Sequence, residues 1–128
     1  MGYRSDVMCI MYARDVKDVD KVDEAGMAFI KAWLNSRLTE EEKNLFEFDH
    51  DDMVVFSVEQ WKWYESYSDI QRLDKLFEDF MELCDEGDGD YNMEFMRIGE
   101  SYDDVEMRNS DQHHGILSLR RSIYIDGR

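Results

Sequence analysis

Proline is absent from the 128 residues, glycine occurs seven times and cysteine twice. No proline-rich linker or low-complexity segment can be drawn, and no internal repeat is visible. Cys9 and Cys84 each lie in an apolar periodic stretch. They read as reduced core residues of a cytosolic protein rather than as a disulfide framework. No apolar run approaches the ~18 residues of a membrane span, and no signal-peptide h-region is seen. Met1-Gly2 is followed by Asp6 where a myristoylation motif needs Ser or Thr, so that motif fails. The scarcity with the largest consequence is that of bases: 15 Lys+Arg stand against 31 Asp+Glu, a formal net charge of −16. A small soluble domain carries roughly 2–8 charges of either sign. Sequence-independent binding to nucleic acid needs a basic surface and is excluded.

What is present argues for a folded chain. Hydrophobic residues make up 43% and aromatics 13%, unlike a disordered acidic tail. The length fits one domain, 1–128, whose core can form without metals, disulfides or a cofactor. The charge is unevenly spread. Residues 1–39 hold six acids and six bases, residues 40–94 hold 19 acids and four bases, and residues 95–128 hold six and five. Nearly all of the excess therefore belongs to the middle of the chain, where core patterns interrupt it. That combination predicts a folded acidic surface rather than a charged tail.

Residues 3–13 alternate and become apolar on both faces, which predicts a central strand. Asp20 and Asp23 look like caps for a helix over 21–37, with an apolar stripe of Val22, Ala25, Phe29, Ile30, Trp33 and Leu34. Thr39 opens a short acidic turn. The runs Leu45–Phe48 and Met53–Val58, joined by Asp49-His50-Asp51-Asp52, predict a hairpin. A second helix is expected from Ser68 or Asp69 to Glu86, stopped by Gly87 and Gly89. Strands are expected over 91–98 and 116–125, with a long loop over 99–115. This order predicts an α+β fold of the ferredoxin-like β-α-β-β-α-β type. Two helices would lie on one face of an antiparallel sheet, with an added C-terminal strand.

The most informative local pattern lies on the second helix. Asp74, Glu78, Glu82 and Glu86 recur at i, i+4, flanked by Asp79 and Asp85, and would stack along about 18 Å of one face. Acids in the last turn oppose the helix dipole. Such a face, with Asp49, Asp51 and Asp52 of the hairpin, points to a surface for a basic partner. A copy of duplex DNA would need about ten charges over that span. Trp61, Trp63 and Tyr64 form an aromatic cluster, either a core edge or an interface anchor. The run Asp85–Asp90 fails as a calcium loop: from Asp88, the glycine position is Met93 and the closing glutamate position is Gly99. His50 reads as a surface residue between carboxylates. No phosphate loop, nucleophile elbow or usefully spaced Cys–His pair is visible.

The segments MGYRSDV, WKWYESYSDIQ and FMRIGESYDDVE resemble a group of small proteins encoded by tailed bacteriophages and prophages. The resemblance implies action in the host cytoplasm, and brings no catalytic motif to place on these residues. The expected function is a binding protein, not an enzyme. It would inhibit or divert a host protein with a basic, nucleic-acid-binding surface, as a DNA mimic or an anti-defence factor. Two alternatives stand beside it. One is a metal-dependent hydrolase using Asp103, Asp104, Asp111, His113 and His114. The other is an assembly protein or homodimer formed through a free sheet edge. The closing Ile125-Asp126-Gly127-Arg128 resembles a protease-site scar, and nothing is built on its last three residues.

Overall fold

The computed structural model describes residues 4–15, 17–18, 21–64, 66–86, 91–100 and 104–109, and the backbone of 117–119 and 123–125. Its elements are β1 (Ser5–Ala13), α1 (Glu24–Arg37), α2 (Glu40–Lys43), β2 (Phe46–Glu47), β3 (Val54–Trp61), α3 (Ser68–Glu86), β4 (Tyr91–Gly99), β5 (Val105–Asn109), β6 (Leu117–Leu119) and β7 (Ile123–Ile125). The fold is α+β. Five strands form an antiparallel sheet in the order β2-β3-β1-β4-β5, and β6 pairs with β7 in a separate antiparallel ribbon.

Register divides the sheet into two faces. Cys9 lies opposite Phe56 on one side and Phe95 on the other, and Phe46 lies opposite Phe56. The helices pack on this face. Phe77 of α3 meets the rings of Phe56 and Phe95 at 5.3 and 5.6 Å, and Trp33 of α1 meets Phe80 of α3 at 5.5 Å. At the start of α1, Asp23 caps the helix by accepting from the Gly26 N–H at 3.1 Å. Gly26 itself is required by a close approach. A Cβ there would stand 2.7 Å from the Ala13 Cβ and 2.6 Å from Asp23 Oδ2.

The other face is buried as well, although none of the described helices lies on it. Ile10, Tyr12, Val55, Glu94 and Met96 are each no more than 3% exposed. Strand β7 runs against β1 and β4, and β6 against β4. Since β1 and β4 are interior strands, the ribbon can reach them only across that face. Burial on both faces explains why β1 reads as near-continuous apolar sequence. Glu94, deep in this layer, accepts a 2.8 Å hydrogen bond from the Tyr12 hydroxyl, as a buried carboxylate requires.

Several expectations are corrected. The first helix begins at Glu24 with Asp23 as its cap, and Asp20 lies outside the described residues. The acidic turn after Thr39 is a one-turn helix, closed by a capping box between Thr39 and Glu42. The stretch 99–115 is not a loop throughout, because Val105–Asn109 forms β5 at the sheet edge. The single strand expected over 116–125 is the β6–β7 pair. Among the described residues, no helix is long and apolar enough to cross a membrane.

Candidate functional site

The 19-residue helix α3 carries the acidic column, and its two sides are sorted by the sheet beneath it. Ile70, Leu73, Leu76, Phe77, Phe80 and Cys84 are buried. The polar side is not uniform. Asp74 is turned inward to β5, with Oδ1 3.4 Å from an Arg108 Nη2 that also pairs with Glu106. Arg108 in turn lies over the Phe95 ring at 4.7 Å. Burial works to lower its pKa, but Glu106, Asp74 and Glu78 more than offset this and raise it. Asp79 pairs with Lys75 at 2.9 Å. Glu78, Glu82, Asp85 and Glu86 are exposed, and no cation among the described residues comes within ion-pair distance of them.

Those four span ~12 Å of helix, where duplex DNA carries about seven charges. The last turn of α3 holds no basic residue. The face is therefore strongly acidic, but little more than half as dense as a duplex. The hairpin does not add to it. Asp49 and Asp51 are exposed and Asp52 half-buried, on the loop before β3. That loop belongs to the β2 edge, while Asp74 and Glu78 face Arg108 at the β5 edge. Four strand spacings of ~4.8 Å, about 19 Å, separate the two edges. Two acidic regions result, rather than one stripe.

The aromatic cluster is divided by a backbone device. Val7 pairs with Val58, yet Ser5 pairs with Trp61, so β3 carries an extra residue there. Gln60 takes up the irregularity at φ 59°, and its N–H donates to Asp6 Oδ1 at 2.9 Å. The slip turns the end of β3 toward the helical face. Trp63 is only 8% exposed, against Phe56 and Phe95 at 6.1 and 6.3 Å, so it is core and not an available anchor. Trp61 is half-buried against the core. Tyr64 is half-buried and meets Tyr67 edge-on at 5.1 Å, which leaves Tyr67 as the exposed ring.

Arg97 and Arg108 went unnoticed in the sequence and organise much of the remaining charge. Arg97 makes a two-point contact with Asp104, at 2.8 and 3.1 Å, and reaches Ser5 Oγ at 3.1 Å and Glu106 at 3.3 Å. Glu106 thus joins both arginines in a chain from Asp104 to Asp74. Asp104, one of the residues considered for a hydrolase centre, is held by Arg97. Asp103, Asp111, His113 and His114 lie outside the described residues. Glu47, Asp49 and His50 bring ligand-type atoms within 4.8 Å of one another at the open β2 edge. There His50 Nε2 and Glu47 Oε1 are 2.9 Å apart, and Lys31 Nζ donates to the His50 carbonyl at 2.9 Å. Cys9 is buried, and that burial pushes its thiol pKa well up, away from nucleophilic chemistry. Comparison with known proteins finds no family model, curated protein or solved structure that matches the chain.

Proposed function

We propose that this is an acidic binding protein, which engages a basic, nucleic-acid-binding surface on a host protein through the exposed C-terminal half of α3. The observation that carries the reading is the set Glu78, Glu82, Asp85 and Glu86. Four carboxylates with no ion-pairing cation among the described residues occupy the end of a helix whose dipole disfavours them. Binding them to lysines and arginines would relieve that cost and block the partner's phosphate contacts by occupancy, with no chemical step. A phage origin and action in the host cytoplasm rest on the resemblance of MGYRSDV, WKWYESYSDIQ and FMRIGESYDDVE. A ferredoxin-like scaffold is supported by the order β2-β3-β1-β4, with α1 and α3 between the strands they connect.

The test substitutes Glu78, Glu82, Asp85 and Glu86 together by lysine. Asp74 is left alone, because reversing it would set a cation against Arg108. Binding to a host protein captured from lysate by the wild-type chain should be lost in the variant, should weaken steeply with salt in the wild type, and should compete with duplex DNA. A folded variant that binds its partner unchanged overturns the reading.

A further inference from the structure

The second feature of α3 has the opposite sign. A groove of about 480 Å³ opens between the C-terminal end of α1 and the first half of α3, lined by Arg37, Ser68, Gln71, Arg72, Lys75 and Leu76, with the carboxylate of Asp79 also in its wall. Residues 40–94 contain only four bases, and two of them, Arg72 and Lys75, face this groove with Arg37 from the preceding helix. We propose that the groove binds a small organic phosphate.

Each cation is held in place with donors to spare. The Arg37 guanidinium lies over the Trp33 ring at 4.1 Å, and no carboxylate among the described residues is within ion-pair distance of it. Arg72 is fixed by Glu42 through Nε at 3.1 Å and Nη2 at 2.9 Å, which leaves Nη1 for a ligand. Lys75 gives one contact to Asp79, at 2.9 Å, and its ammonium has three hydrogens. Three cations thus meet two directly paired carboxylates, Glu42 and Asp79, with Glu82 and Glu78 acting on Lys75 from farther along α3. Preorganised guanidinium forks suit phosphate oxygens, and a dianion answers several cations better than a single carboxylate does. The volume falls within the ~300–1,000 Å³ of small-molecule sites, so the anion should carry an organic body. The buried Leu76 offers that body an apolar floor, and Ser68 and Gln71 offer hydrogen bonds. The site shares α3 with the acidic face, whose Glu82 and Glu78 act on the Lys75 ammonium, but it does not rest on what that face binds.

The test titrates the full chain at low ionic strength with adenosine monophosphate, inorganic pyrophosphate and, as a control, adenosine, read by calorimetry. Both phosphates should bind and adenosine should not. Arg37→Gln and Lys75→Gln should each weaken binding by about tenfold or more, the scale of one lost charge-assisted hydrogen bond. Glu24→Gln, in the first turn of α1 and so at the opposite end of that helix from Arg37, should leave binding intact. Lys75 touches neither Trp33 nor Glu42, so its variant keeps the test meaningful should the Arg37 substitution loosen α1. The absence of binding by either phosphate at millimolar concentration, adenosine binding as well as its phosphate, or a folded Lys75→Gln chain that binds like wild type would each overturn the proposal.

Discussion

If the acidic end of α3 is kept against the stability of the helix, neutralising it should make the protein more stable. The informative variant is Glu82→Gln, Asp85→Asn and Glu86→Gln, which keeps side-chain shape while removing three charges from the last turn. An exposed acid at a helix C-terminus costs about 0.3–1 kcal/mol at low ionic strength. The i, i+4 repulsions of Glu78 with Glu82 and of Glu82 with Glu86 add roughly 0.2–0.5 kcal/mol each. The total expected gain is about 1–4 kcal/mol. At roughly 3–5 °C per kcal/mol for a chain of this size, the melting temperature should rise by about 3–20 °C. Urea melts at 20 mM and 500 mM salt separate this effect from packing. An electrostatic gain shrinks as the screening length falls to about 4 Å, whereas a packing gain persists. Unchanged or lower stability in low salt would mean that local groups already satisfy these carboxylates. The surface would then give no reason to look for a basic partner.

Two further outcomes test the packing and charge assignments. Trp63→Ala should cost about 3–5 kcal/mol in urea unfolding, the scale for a buried aromatic, and a loss within 0.5 kcal/mol would return Trp63 to the surface. The hydrogen bond from Arg72 holds the Glu42 carboxyl below the ordinary carboxylate range. A folded-state pKa below the unfolded one stabilises the native protein above the unfolded value of about 4.3. That contribution is lost as the pH falls through the folded value. Glu42→Gln should therefore be less stable than wild type by a constant margin between pH 6 and 8, and the margin should narrow under pH 4. A margin that widens on acidification contradicts the assignment.

How far the sequence could be read depended on whether a signal was local. The bounds of α3 were legible because its apolar stripe, its start at Ser68 and its glycine stop all lie within one segment. The two-sided burial of β1 was legible in the same way, since YRSDVMCIMYA has little polar sequence to spare. β5 was not: VEMRN alternates over only four residues, its side toward the helices carries Glu106 and Arg108 facing Arg97 and Asp74, and Met107 on the other side is exposed. A strand stabilised by ion pairs looks polar in sequence, and its partners lie 9 and 34 positions away. Trp63 was ambiguous for another reason. Alternation assumes an unbroken register, and the irregularity at Gln60, a residue with no sequence mark for left-handed backbone, resets it.

The same distinction changes the meaning of the net charge. An acidic residue in sequence counts as −1 whether it is paired or not. The fold separates the two kinds. Asp74, Asp104 and Glu106 neutralise Arg97 and Arg108 and belong to the architecture of the β5 edge. Glu42 and Asp79 fix Arg72 and Lys75 along a groove of opposite sign. In the C-terminal half of α3, Glu78, Glu82, Asp85 and Glu86 remain without an ion pair among the described residues, although Glu78 acts on Arg108 and Glu78 and Glu82 act on Lys75 from a distance. Diffuse acidity would repel nucleic acid and do little else. Segregated charge gives one helix an anionic end and a cationic flank, and substitutions at Glu86 and at Arg37, which do not act on each other's groups, test the two separately.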